Sequence, residues 1–342
     1  MSKIQLAQIG LGAWGKNLLR NFSSQPDGEM KLVCDSQENA LKRALTQYPA
    51  IETCTDPADV FKRTDIDAVI IATPPATHFK LAYAAIEAGK DVFVEKPLVL
   101  TTADGSALVK AARDAKRILM VGHIMIHHPA SIKLKQYIDS GELGRIYYVY
   151  ATRVNLGKVR EIENAMWSFA PHDLSLILYL LGKRPDRVSA VGQAYLQEGI
   201  EDVAFMTLHF PDGILGHIHT SWLDPHKDRS LTVVGSKKMV LFDDTQPTEK
   251  IKIYDKGVKT NPDYESYGEY LSLRTGDIMI PKLDTLEPLA LECKHFLDSV
   301  RTRENPRSDG ESGLEVLRIL EAAQKSMDAG GTPMNMSWEE TS

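Results

Sequence analysis

The residues best suited to chemistry fall into a few short runs. Gly10-Leu11-Gly12-Ala13-Trp14-Gly15 fits G-x-G-x-x-G between an apolar run and an amphipathic stretch, the setting in which this pattern binds a dinucleotide. Gly10 permits a tight turn, Gly12 lets backbone approach a pyrophosphate, and Gly15 allows close helix packing. Ala13 leads into a helix that begins at about Trp14, whose N-terminus offers its amides to the anion. Asp35 stands twenty residues after Gly15, at the end of the next strand, where a carboxylate accepts hydrogen bonds from the ribose hydroxyls. It would repel a 2′-phosphate, and Ser36 and Gln37 add no cation, so NAD is favoured over NADP. The plainer alternatives are a glycine-rich turn without a ligand and an aspartate that only starts a turn.

Two further runs end strands, Ala72-Thr73-Pro74-Pro75-Ala76-Thr77-His78 and Glu95-Lys96-Pro97. A lysine at the C-terminal end of a strand, partly desolvated and near a cofactor, can lower an alcohol's pKa. Taken alone it would be an exposed edge lysine. In the second half, His172 within Ala170-Pro171-His172-Asp173 carries an imidazole suited to taking a proton from an alcohol near neutral pH; a capping or buried histidine is the alternative. Just before it, Arg153, Asn155, Lys158 and Arg160 place three cations within eight residues, followed by Trp167. Arginine and lysine together suit a phosphate or nucleotide diphosphate, against the reading of a solvated charged loop. The His127-His128 pair has no metal-ligand spacing and reads as surface or packing, so no metal is expected.

Positioning these residues requires two kinds of architecture. Residues 1–125 alternate β-branched runs with amphipathic stretches, the signature of βαβ units and a doubly wound parallel α/β sheet. Strands are predicted at 4–9, 30–34, 68–72, 91–94 and 118–122, with helices at 14–24, 37–47, 77–88 and 102–115. Ligands bind outside the C-terminal strand ends of such sheets, so the loops at 10–15, 73–78 and 95–97 should converge. Residues 126–342 are predicted as an α+β domain with a large, mostly antiparallel open sheet. It has a helix at 129–140, strands at 146–154, 203–210, 214–222, 230–235 and 239–242, an apolar helical stretch at 169–181 and closing helices at 287–300 and 312–327. Residues 243–285 read as an irregular excursion.

The 342 residues suit about two domains of roughly 150 each. With 43% hydrophobic and 25% charged residues, the composition is that of an ordinary globular chain. A net charge of −6 offers no attraction to nucleic acid or to an anionic membrane. Three scattered cysteines, Cys34, Cys54 and Cys293, form no disulfide framework and suit a reducing cytoplasm. The N-terminus lacks a signal-peptide pattern, and no apolar run is long enough to cross a bilayer.

In combination, the glycine loop, the A-T-P-P-x-x-H turn and the E-K-P tripeptide resemble the Gfo/Idh/MocA oxidoreductases, and the likeness extends over essentially the whole chain. The resemblance implies a Rossmann domain holding NAD(P) and a C-terminal domain whose open sheet binds a sugar or polyol and builds a homo-oligomer, a dimer or tetramer. It implies that Lys96 lies beside the nicotinamide and the reacting hydroxyl, that Thr73, Pro74, His78 and Glu95 belong to the cofactor site, and that a cis peptide bond precedes Pro97. It makes His172 the general base, although the family's usual aspartate four residues earlier is Ser168 here. The run from Arg153 to Asp173 is similar to members acting on UDP-linked amino sugars. The activity this implies is NAD-dependent oxidation of the 3-hydroxyl of UDP-N-acetylglucosamine, giving a 3-keto sugar for a transaminase in lipid A or surface-polysaccharide synthesis. A dehydrogenase of inositol or a free sugar, and a non-catalytic NAD-binding sensor, are the alternatives.

Overall fold

The structure is a computed structural model that describes residues 2–157, 159–260 and 271–338. The chain divides into two compact units, 1–128 with 286–318, and 129–285 with 319–340. Residues 286–318 thus belong with the first unit, after the chain has run through most of the second.

In the first unit the chain runs β1 (Ile4–Ile9), α1 (Gly15–Ser23), β2 (Gly28–Cys34), α2 (Glu38–Gln47), β3 (Glu52–Cys54), α3 (Pro57–Phe61), β4 (Ala68–Ile71), α4 (His78–Glu87), β5 (Asp91–Glu95), α5 (Thr102–Asp114) and β6 (Leu119–Gly122). The six strands are all parallel in the order β3-β2-β1-β4-β5-β6, the Rossmann arrangement. Because helices cover both faces, β4 and β5 are buried at every position. Local signals start the helices: the Asp56 side chain accepts from Ala58 N ahead of Pro57 in α3, and Thr101 accepts from Asp104 N in α5. The core centres on Phe22, Phe93 and Phe296, whose rings meet edge to face at 5.6, 5.7 and 6.0 Å. Such pairs add roughly 0.5–1.5 kcal/mol each beyond area burial. Nothing in the sequence pattern predicts β3 or α3, which are only three and five residues long.

The second unit holds α6 (Pro129–Asp139), β7 (Ile146–Val154), α7 (Ala165–Leu181), β8 (Arg187–Gln193), β9 (Val203–His209), β10 (Leu215–Ser221), β11 (Asp228–Gly235), β12 (Met239–Asp243), β13 (Ile251–Tyr254), β14 (Gly257–Thr260), β15 (Leu271–Arg274) and β16 (Ile278–Met279). Two helices follow, α8 (Pro288–Thr302), which belongs to the first unit, and α9 (Gly310–Asp328), before a short β17 (Met334–Asn335). The large sheet has the order β16-β13-β12-β11-β7-β10-β9-β8-β17, antiparallel throughout except for the β7–β10 pair. Of the stretch 243–285, residues 261–270 lie outside the described residues, and the rest is not simply irregular. It contributes β13 and β16 to this sheet, and β14 pairs with β15. Helices α6 and α7 pack on one face of the sheet. The other face exposes Tyr148, Tyr150, Val191, Phe205 and Leu215. Among the described residues no helix is long and apolar enough to cross a membrane.

Candidate functional site

The glycine loop connects β1 to α1. Gly10 has φ +96°, which favours glycine, and a Cβ there would meet the Ala72 carbonyl oxygen at 2.5 Å. At Gly15 a Cβ would meet the Gly10 oxygen at 2.3 Å, so the helix can press on the turn only because Gly15 has no side chain. Gly12 faces open space, with nothing within 4 Å of where its Cβ would lie, and it and Ala13 are exposed. This is the approach that a pyrophosphate needs. Sequence reasoning missed Gln8, a fully buried polar side chain in the mostly apolar strand β1. Its Nε2 donates to the Gly10 and Gly15 carbonyls at 2.9 and 2.7 Å and staples the loop to the helix. Asp35 follows β2; its Oδ2 accepts from Leu11 N at 2.7 Å and its Oδ1 from Gln37 N at 2.8 Å. The carboxylate is thus fixed against the glycine loop, partly exposed, with lone pairs left for ribose hydroxyls.

The turns after β4 and β5 are tied together by His78. Its ring is fully buried, with Nδ1 2.8 Å from the Pro97 oxygen and Nε2 2.9 Å from the Thr73 oxygen. Burial holds its pKa below the ordinary value, although both backbone contacts oppose this. With its ring fully buried, His78 braces both turns. Thr73 Oγ1 lies 2.7 Å from Thr77 Oγ1 beside an exposed Pro74, and the Lys96–Pro97 bond is cis. Glu95, at the end of β5, is buried. It accepts from Trp14 Nε1 at 2.5 Å and from the Lys96 amide at 3.2 Å. Its pKa is pushed up to about 7 by burial, against the lowering effects of Trp14 and Lys96. A side chain at Gly122, its neighbour across β5–β6, would meet the carboxylate at 3.0 Å. Trp14, Glu95 and Lys96 therefore form one connected group that joins the glycine loop to the E-K-P turn.

The second unit assembles its own set of residues around α7. Asn164 caps the helix, accepting from Trp167 N at 3.0 Å while its Nδ2 donates to Glu201 and Gln324. Gln324 also accepts from Trp167 Nε1 at 3.1 Å, fixing the indole. His172 lies two turns into α7 and is half-buried; Ser168, one turn earlier, is buried. Arg153 on β7 departs from the picture of a free phosphate-binding cation. It is buried, and its Nε and Nη2 donate to the two oxygens of Asp173, both at 2.8 Å. Burial works against its charge, but Asp173 raises its pKa on balance. Arg160 is exposed and pairs with Glu163 at 3.2 Å. Asn155 donates its amide to the Ser221 oxygen, and Lys158 lies outside the described residues. The sequence could not show that Asp173 is the partner of Arg153, because the pairing joins a strand to a helix twenty residues on.

Comparison with known proteins fits both units. Residues 4–123 match the oxidoreductase family NAD-binding Rossmann fold and residues 131–241 the GFO/IDH/MocA C-terminal domain. The chain is 30% identical over 319 residues to a UDP-N-acetylglucosamine 3-dehydrogenase of Acidithiobacillus ferrooxidans, covering 93% of this chain and 95% of that one. It is 25% identical over 336 residues to a myo-inositol 2-dehydrogenase of Thermotoga maritima, covering 95% and 96%. Among solved structures, GenD2 from gentamicin A biosynthesis in complex with NAD shares the fold at a TM-score of 0.82 and 22% identity, covering 98% of this chain and 97% of that one.

Proposed function

We propose that this chain, a member of the Gfo/Idh/MocA family and an NAD-dependent dehydrogenase, oxidises a secondary hydroxyl of a nucleotide-linked sugar, the 3-hydroxyl of UDP-N-acetylglucosamine first among candidates. The observation that carries the substrate is the 30% identity, across almost the full length of both chains, to a dehydrogenase of that name.

The cofactor site fits the dinucleotide. Gly12 leaves the space, the start of α1 supplies amides, and Asp35 supplies a fixed acceptor. NAD, when bound, supplies the hydride acceptor. In this reading His172 takes the hydroxyl proton, and the Lys96 ammonium stabilises the oxygen as it becomes negative. Thr73 and Pro74 border the cofactor, and Trp167 and Asn155 border the sugar. The 3-keto product would serve a transaminase in lipid A or surface-polysaccharide synthesis. The setting proposed is the cytoplasm, where Cys34, Cys54 and Cys293, free in the structure, stay reduced.

A second reading, oxidation of an inositol or a free sugar, gains support from Arg153. Its charge is already spent on Asp173, which leaves Arg160 and Lys158 as the loop's cations for a diphosphate. Competition by UDP separates the two readings. UDP alone is expected to inhibit competitively against the sugar nucleotide; absence of inhibition at millimolar UDP would favour the second.

A further inference from the structure

A group of buried titratable side chains behind the Lys96 turn is unused by the reaction described above. Helix α8 runs antiparallel to β5. Arg303, just beyond its end, pairs with Asp91 at the start of the strand (2.6 Å), and Phe296 meets Phe93 with ring centroids 5.7 Å apart. One helical turn is about 5.4 Å and two strand residues about 6.6 Å, so the next turn of α8 brings Glu292 level with Glu95. Glu292 is 1% exposed, and neither carboxyl oxygen has a hydrogen-bond partner. His123 follows Gly122, whose position faces the Glu95 carboxylate; it too is 1% exposed with neither ring nitrogen partnered. Buried polar atoms are rarely left unpaired. Glu95, in contrast, already accepts two N–H groups, from Trp14 and Lys96, which favour its ionised form.

We propose that Glu292 is a positioning residue that stays protonated in the folded protein and donates its proton, through a buried water, to the Glu95–His123 group, holding Glu95 as the carboxylate that anchors Trp14 of the glycine loop. A neutral carboxylic acid has the one donor this group needs, and an ionised Glu95 has lone pairs to spare. Two carboxylates in one apolar site cannot both ionise. Burial first, and Glu95 second, push Glu292 well above the usual carboxylate range. The other titratable groups around it are Lys96, whose charge opposes the rise at Glu95 and adds to the lowering by burial at His123; Cys293, raised by burial; and His127, lowered by burial first and also by the charges of neighbours that include His123. The inference needs NAD binding and not the sugar assignment.

The test uses the full chain with Glu292→Gln, which keeps an N–H donor, and Glu292→Leu, which does not. A carboxyl whose folded pKa is raised contributes stability that is present below its unfolded pKa, about 4.3, and is lost as pH rises towards the folded value. The unsubstituted chain should therefore lose melting temperature relative to both variants between pH 5 and pH 8. Calorimetric affinity for NAD should fall about tenfold in Glu292→Leu, the loss of one charge-assisted contact, and its decline at low pH should set in at higher pH. Glu292→Gln should restore affinity to within about threefold. Neither measurement requires a sugar, so failure here is separate from failure of the substrate assignment. Parallel stability curves for all three chains, or NAD affinity unchanged in Glu292→Leu, would overturn the proposal.

Discussion

Lys96 and His172 carry the proposed chemistry, and their loss should spare the cofactor. Lys96→Ala and His172→Ala should each lower turnover by about 10² to 10⁴ while calorimetry shows NAD binding largely intact; near-normal turnover in either would reassign the role. Arg153 behaves differently from a surface cation. Removing it strands a buried Asp173 carboxylate, which typically costs about 3–5 kcal/mol, so denaturant unfolding of Arg153→Ala should show a large loss of stability and not only a raised KM. An unfolding midpoint equal to that of the unsubstituted chain would mean the ion pair is not holding α7 to β7. At this scale the sequence was legible where chemistry is local. Glycine spacing, Asp35 and E-K-P announce themselves within a few residues. The pairs Arg153–Asp173, Trp14–Glu95 and Glu292–Glu95 were not legible, because each joins groups 20, 81 and 197 positions apart through tertiary packing.

At the scale of elements, strand ends do the positioning. β1, β4 and β5 deliver the glycine loop, the Thr73–His78 turn and the E-K-P turn to one edge of the sheet, while Gln8 and His78 hold them in place. Asp35 at the end of β2 is the residue proposed to set cofactor choice. NAD should bind much more tightly than NADP, and Asp35→Ala should narrow that gap by removing both the ribose acceptor and the repulsion of a 2′-phosphate; equal calorimetric affinities in the unsubstituted chain would refute the assignment. The long periodic strands and helices were readable because a covered parallel sheet demands continuous apolar runs. The three-residue β3, the half-exposed β8 and the polar 243–285 stretch carry too little pattern; their pairing comes from neighbours already in place.

For the whole molecule, two family domains divide the work, with residues 286–318 returning to the first unit in a way no local pattern announces. The outer face of the second unit's sheet places Tyr150 beside His217, which pairs with Thr207, and Val191 opposite Phe205, whose ring stacks on His219 at 4.4 Å. An exposed patch of this kind suits a second copy of the chain. Phe205→Lys with Tyr150→Lys should shift sedimentation from an oligomer to the monomer; a monomeric unsubstituted chain would contradict the proposed assembly. The reaction proposed for the whole molecule is NAD-dependent oxidation of a nucleotide-linked sugar. Its most direct test is NADH formation, followed by absorbance with a carbonyl trap present, on UDP-N-acetylglucosamine alongside free N-acetylglucosamine and inositols. NADH should form with the UDP sugar and little or none with the others. Turnover of an inositol or free sugar without turnover of UDP-N-acetylglucosamine would contradict it.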